Sequence, residues 1–391
     1  MQNSISFETF IHDKPLYYKE INHKRVHQAY ALIKPHIRRP LTIHVVGTNG
    51  KGSTGRIMAT LLYESGKGVG HFSSPHILKF NERIWVNGED ISDTSLEEAH
   101  KTLYFLLGQE MSNALSYFEY TTLLALVATQ SMDVMILEAG LGGEFDATNV
   151  VKKELSVITP IGLDHQDFLG DTIEDIARTK LNSIDTKVLL ARQINDEVYT
   201  IAQEIIASKN TMAYFINKEE NRELLELTKA LGWAYYLYEN TLLSLKALDI
   251  LSLPYRLESI KKVVLFGRFY ALSSNVTIDV GHNLLASKTL VKALKNKYIS
   301  EKVILVYNSL NDKNYEAILR DFKPLIKHVE IINIDSSRVV ELNKLEDTLK
   351  KLEIEYKNFM FLNKHDTYFI FGSFYVVEAF LKKINHTIKN K

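Results

Sequence analysis

The sequence predicts an α/β protein of two domains, each organised around a mainly parallel sheet. Short apolar runs recur along the chain, and each ends in a polar or glycine-rich segment followed by residues at helical spacing. That is the strand, loop and helix rhythm of a parallel sheet. The clearest runs are 42–46, 134–137, 156–161, 277–280, 303–307 and 330–334. Length gives the domain count, because a chain of 391 residues exceeds the ~250 to 300 at which single cores stop growing.

After the first run, Met58, Leu61 and Leu62 fall at i, i+3 and i+4, and Gly66 supplies a helix stop. From about 185 to 258 the sequence reads as mostly helical, with Glu219, Glu220, Arg222, Glu223, Glu226 and Lys229 as a solvated face. Near Pro254 to Gly267 this pattern yields to Lys261, Lys262 and a new strand. The domains are therefore expected at 1–258 and 266–391.

Composition narrows the function classes. With 46% hydrophobic and 24% charged residues the chain is globular rather than disordered. Lysine plus arginine and aspartate plus glutamate both number 47, so no net field gathers nucleic acid or an anionic membrane. The cluster Lys24, Arg25, Lys34, Arg38 and Arg39 lacks interleaved aromatic platforms and reads as a solvated helix face. Without cysteine there is no disulfide, thiolate metal site or cysteine nucleophile. Neither a signal peptide nor an apolar run of spanning length is present, so a soluble, cytoplasmic protein is expected.

The chemistry concentrates where strand 42–46 runs into Gly47-Thr48-Asn49-Gly50-Lys51-Gly52-Ser53-Thr54 and then a helix. Glycines let successive N–H groups converge on phosphate, a helix N-terminus adds positive potential, and lysine adds charge. The spacing departs from G-x-x-x-x-G-K-[ST], because Gly52 separates Lys51 from Ser53. Strand 134–137 delivers Glu138 ahead of Ala139-Gly140-Leu141-Gly142-Gly143. It is either a metal carboxylate or a surface glutamate at a strand end. Asp164-His165 follow the next strand, where oxygen suits Mg2+ better than imidazole, leaving His165 as ligand or hydrogen-bonding partner. A helix starts at Thr172 with Asp175 as capping-box echo, and Lys180 lies on its apolar face. There the lysine either extends its tip to solvent or, desolvated, gains a nucleophilic amine. In the second domain, Gly267-Arg268 and Asp279-Val280-Gly281-His282-Asn283 each follow an apolar strand. Guanidinium suits phosphate oxygens, and aspartate suits ribose hydroxyls.

The ordered motifs H-V-V-G-T-N-G-K-G-S-T, H-F-S-S-P-H-I, E-A-G-L-G-G-E-F-D-A-T-N-V, L-D-H-Q-D-F-L-G and D-V-G-H-N make the chain similar to folylpolyglutamate synthases and dihydrofolate synthases, within the Mur ligase superfamily. The resemblance is dense over 42–180, scattered over 240–372 and leaves 185–239 largely unmatched. It implies a P-loop ATPase domain followed by a smaller Rossmann-like glutamate ligase domain. The implied reaction has ATP phosphorylate a carboxylate, of dihydropteroate or of a reduced folate's terminal glutamate, before L-glutamate displaces the phosphate. The motifs assign Thr48, Asn49, Gly50, Lys51, Gly52, Ser53 and Thr54 to ATP, with Asn240, Arg268, Asp279 and His282 as further nucleotide contacts. Ser53, Ser74, Glu138 and His165 correspond to Mg2+ ligands, with two ions expected, and Lys180 to the lysine carbamylated in this family. Lys51, Lys180 and His165 are thus the expected catalytic group. Phe118, Glu119 and Thr122 resemble the F-E-x-x-T element, while Asp146 and Ala147 resemble the pterin-side segment; Phe118, Thr122, Asp146 and Ala147 are the expected acceptor contacts. A monomer is expected, without nucleic-acid or membrane partners.

The chain departs from this pattern in places. Glu144 stands where relatives often carry arginine, Gly281 where alanine is common, and Phe266 where proline is common. The usual proline- and glycine-containing stretch is missing around 183–187. Two competing readings are a Mur-type ligase with another carboxylate acceptor and a nucleotide-switch NTPase. Acceptor-dependent phosphate release separates both from a folate ligase.

Overall fold

The computed structural model describes residues 5–15, 22–216, 220–299 and 301–389. Contacts divide the chain into two compact units, the first drawn from 1–162, 166–219 and 240–263 and the second from 163–165, 220–239 and 264–391.

The first unit is built on eight strands: β1 (Leu41–Val46), β2 (Val69–Phe72), β3 (Ile84–Val86), β4 (Glu89–Asp90), β5 (Val134–Glu138), β6 (Leu155–Ile158), β7 (Lys187–Leu190) and β8 (Met212–Phe215). Their order is β4-β3-β2-β5-β1-β6-β7-β8. All pairings from β2 to β8 are parallel, and β3 and β4 add an antiparallel edge. β1 is central and buried on both faces, which explains its nearly unbroken apolar character. The chain leaves β1 for β2 on one side, and β5 is followed by β6 on the other. Strand order thus reverses at β1, where open α/β sheets form a ligand crevice beyond their carboxyl ends.

Helices cover both faces of this sheet. On one face Phe7–His12, His23–Ile33, Asp93–Ala114 and Tyr117–Ala128 close over Phe72, Met135 and Leu137. Farther along that same face, as the strand register requires, Ile173–Leu181 and Glu197–Lys209 pack on Ile158, Val188 and Leu190, while Lys51–Glu64 lies on the opposite face, where Gly55 abuts His71. Each such aliphatic side chain, fully buried, contributes ~1.5–3 kcal/mol. The expected first helix spans Lys51–Glu64, and Gly66 at φ +88° donates its N–H to the Tyr63 carbonyl beyond its end.

The second unit holds β9 (Tyr270–Ser273), β10 (Val276–Ile278), β11 (Val303–Tyr307), β12 (Ile326–Ile331), β13 (Tyr356–Asn358) and β14 (Tyr368–Phe371) in the order β13-β12-β11-β14-β10-β9. Only β9 runs antiparallel to its neighbour. Helices Leu284–Lys297, Tyr315–Phe322 and Leu342–Lys351 pack on Leu305, Val329 and Phe369. Among the described residues no helix is long and apolar enough to cross a membrane.

Several expected elements are corrected. The stretch 185–258 is largely helical, through Glu197–Lys209, Arg222–Ala230 and Tyr235–Ile250, but β7 and β8 also lie within it and extend the parallel sheet. β6 stops at Ile158, before Pro160, which has no N–H for the ladder. β10 likewise stops at Ile278. β12 begins at Ile326 and ends at Ile331, earlier than the run 330–334. No strand precedes Gly267: the chain turns there, with Gly267 at φ +72° and Phe269 at φ +46°, and β9 follows.

Candidate active site

The loop leaving β1 is shaped by contacts that only glycine permits. Gly47 abuts Thr159, and Gly50, at φ +88°, lies so close to Asn240 that an added Cβ would stand 2.7 Å from the amide oxygen. The N–H groups of Thr48 and Asn49 donate to the Pro160 carbonyl at 3.0 and 3.3 Å. Gly50 is the N-cap of helix Lys51–Glu64 and offers no side-chain cap. The first-turn N–H groups are therefore left for an anion. Around them, Ser53 Oγ, Thr54 Oγ1 and Asn240 Nδ2 are buried without a hydrogen-bond partner. Buried polar atoms are normally paired, and this cluster has the donors of a phosphate cradle. Lys51 Nζ folds back to donate to the Gly47 and Thr48 carbonyls at 3.1 and 3.2 Å.

The neighbouring strand β5 carries Glu138 at its tip, in register with Val45 of β1. Its carboxylate is buried and accepts from the Ser74 N–H at 3.3 Å, which brings these two expected metal residues together. One carboxylate with two hydroxyls suits Mg2+, which uses few protein ligands and is completed by phosphate and water oxygens. Among the described residues there is no cluster of three His, Cys, Asp or Glu that could form an all-protein cage. Lys180 does not reach solvent: it is 4% exposed, and its Nζ donates to the Gly47 carbonyl at 3.1 Å. Gly143 packs on the Lys180 backbone, where a Cβ would stand 2.6 Å from the carbonyl oxygen.

The expected acceptor residues have mixed surroundings. Phe118 lays its ring on Gly140 and beside Phe72. Thr122 is fully buried with its hydroxyl unpartnered. Glu119 is used locally, capping its helix through the Ser116 N–H at 2.7 Å and pairing with Arg25 at 3.3 Å. Asp146 accepts from the N–H groups of Gly140, Leu141 and Thr148 at 3.0, 2.8 and 2.9 Å, and from the Thr148 hydroxyl. Burial raises its pKa, and those bonds oppose the rise. The carboxylate therefore builds its own loop, and the buried Ala147 follows it.

In the second unit the D-V-G-H-N segment forms the exit of β10. Asp279 is buried and accepts from Phe269 N–H at 2.7 Å, Gly281 N–H at 2.7 Å and the Tyr236 hydroxyl at 3.0 Å. Burial raises its pKa, chiefly against the field of Arg268. The Arg268 guanidinium lies 5.1 Å from the Phe374 ring. His282 Nδ1 donates to the Val280 carbonyl at 3.1 Å, and Asn283 caps the next helix through Ala286 N–H at 2.9 Å. His165 belongs to this unit by its contacts and stands at φ +54°. The adjacent Asp164 is held by Lys313 at 2.7 Å and Asn283 at 2.8 Å. Burial would raise its pKa, but His282, His165 and Lys313 outweigh that and hold it far below the usual carboxylate range. Lys313 is a residue that sequence reasoning missed, since a lone Asn-Asp-Lys-Asn carries no periodic or motif signal.

The Mur ligase middle domain model matches residues 45–231. A dihydrofolate synthase/folylpolyglutamate synthase of Buchnera aphidicola subsp. Schizaphis graminum is 32% identical over 374 residues, covering 86% of each chain. The chain belongs to the dihydrofolate synthase/folylpolyglutamate synthase family. Among solved structures, Helicobacter pylori folylpolyglutamate synthetase is 37% identical with a TM-score of 0.78, covering 97% of this chain and 98% of that one. Escherichia coli FolC in complex with DHPP and ADP shares the fold at 24% identity and a TM-score of 0.82, with 97% of each chain covered.

Within the family the departure at Glu144 has a structural partner. Its carboxylate accepts from Asn182 Nδ2 at 2.8 Å, while its N–H donates to the Thr179 carbonyl at 2.8 Å. These bonds tie the glycine-rich loop to the C-terminal turn of the helix that carries Lys180. A second feature missed in the sequence is the pair His44 and Thr148, 104 residues apart and joined at 2.8 Å.

Proposed function

We propose that this chain is an ATP-dependent ligase that joins L-glutamate to dihydropteroate and, by the same chemistry, to the terminal glutamate of a reduced folate. The carrying observation is the uncapped helix N-terminus at Gly50, ringed by the buried, unpartnered Ser53 Oγ and Asn240 Nδ2 and set beside the Glu138 strand tip. Backbone dipoles, Lys51 and a nearby carboxylate are what transfer between two anions requires.

In the proposed reaction a carboxylate oxygen of the acceptor attacks the γ-phosphorus of ATP, and the bond to ADP breaks, leaving an acyl phosphate. The glutamate amine then attacks the acyl carbon, phosphate leaves with the carbon–oxygen electron pair, and the nitrogen sheds a proton to give the amide. Thr48, Asn49, Gly50, Lys51, Gly52, Ser53 and Thr54 orient the ATP phosphates, and Asn240, Arg268, Asp279 and His282 hold the rest of the nucleotide. Ser53, Ser74, Glu138 and His165 would hold two Mg2+ ions, which neutralise phosphate charge when bound. Carbamylation of Lys180 by carbon dioxide would add a carboxylate to that set. Phe118, Thr122, Asp146 and Ala147 line the acceptor side.

Residues 1–258 act as the ATP-binding domain with its folate-site elements, and 266–391 as the glutamate ligase domain. The enzyme is a cytoplasmic monomer with no nucleic-acid or membrane partner. Phosphate release should require ATP, glutamate and dihydropteroate or folate together. Release supported only by a cell-wall precursor, or independent of every acceptor, would overturn the reading.

A further inference from the structure

His44 lies on β1, between the sheet's two helical layers, and has no exposed surface. Its Nε2 is 2.8 Å from Thr148 Oγ1, and that hydroxyl is bonded to Asp146 Oδ1. The donor inventory fixes the direction of this chain. A carboxylate inside a cage of N–H groups only accepts, so Thr148 donates to Asp146, and the hydroxyl lone pair then takes a hydrogen from His44 Nε2. His44 is accordingly the neutral Nε2–H tautomer. Its Nδ1 is buried without a partner, where a second N–H would be left unsatisfied.

The other end of the chain reaches the loop beyond Glu138. Asp146 Oδ2 takes the N–H groups of Gly140 and Leu141 at 3.0 and 2.8 Å, and Gly140 is the residue on which Phe118 lies. One imidazole in the rigid central strand thus sets a hydroxyl, the hydroxyl sets a carboxylate, and the carboxylate sets the turn that Phe118 covers. We infer that His44 is a positioning residue for the acceptor, acting through Thr148 and Asp146 on loop 139–149. This rests on the assignment of that loop to the acceptor side.

Glutamine and asparagine separate the chain from mere packing. The glutamine amide nitrogen falls near the place of His Nε2 and can donate to Thr148, whereas the shorter asparagine mimics Nδ1 and cannot reach. His44→Gln and Thr148→Ser should keep the wild-type KM for dihydropteroate. His44→Asn and Thr148→Val should raise it roughly tenfold, the scale of one lost buried hydrogen bond, with the KM for ATP within about twofold. Amide exchange should accelerate at Gly140 and Leu141 in the impaired variants, a readout that does not depend on turnover. Equal rises in both KM values, or His44→Gln behaving as His44→Asn, would overturn the inference. Thr148→Val reports independently should His44→Asn fail to fold. If the wild-type protein does not turn over dihydropteroate at all, the acceptor reading fails, while the exchange result still decides whether His44 governs the loop.

Discussion

Replacing Gly50 with alanine perturbs the cradle in two separable ways. The residue sits at φ +88°, where an L side chain costs ~1–2 kcal/mol. The new methyl would also stand 2.7 Å from Asn240 Oδ1, on a residue only 5% exposed and with little room to retreat. Overpacking of this kind costs ~1–3 kcal/mol. The reduced entropy of the unfolded chain returns ~0.4–1 kcal/mol, so a net loss of about 2–4 kcal/mol is expected. Gly66→Ala is the matched control, because Gly66 has the same φ of +88° with nothing within 4 Å. It should lose only the conformational part. Urea denaturation of both variants, with ATP affinity by calorimetry, makes the comparison. Gly50→Ala should be the less stable by about 1–3 kcal/mol. It should also lose ATP affinity, while Gly66→Ala keeps it. Equal stability and equal ATP binding in the two variants would refute the cradle geometry.

Two further outcomes are expected. Lys180→Ala should lower turnover and recover part of it with added short carboxylates, because the lost group is proposed to carry a carbamate; unchanged turnover would rule out an essential role. Lys153 is buried and its pKa is pulled down to about 8 by desolvation, with Asp185 and Asp146 opposing. Its unfolded pKa is ~10.4, so between these values the unfolded chain binds more protons and stability rises with pH, by at most ~3 kcal/mol. Comparing denaturation midpoints at pH 8 and 10 should show that rise shrinking in Lys153→Met, and an identical rise in both proteins would contradict the assignment.

The sequence was most informative where one segment carries its own signal. The run 42–46, its glycines and the helix after it are contiguous, and Thr172 with Asp175 forms the expected capping box around helix Ile173–Leu181. β7 and β8 escaped notice because each is a four-residue run among helical spacings, and periodicity over so short a span cannot separate strand from helix. The apolar residues before Gly267 read as a strand, but Gly267 and Phe269 turn the chain with positive φ. Residues with a motif signal could be named from the sequence as candidates. The roles of Asp146 as a loop builder, Lys313 as the partner of Asp164, and His44 as the partner of Thr148 were not legible there. Each depends on a bond between side chains brought together only by folding.

Mass spectrometry of the products from parallel incubations with dihydropteroate and tetrahydrofolate, each with ATP and glutamate, addresses the proposed reaction without intermediaries. The account predicts species heavier by whole glutamyl residues, formed only when all three substrates are present. ATP consumption that leaves both pterins at their starting mass would contradict it.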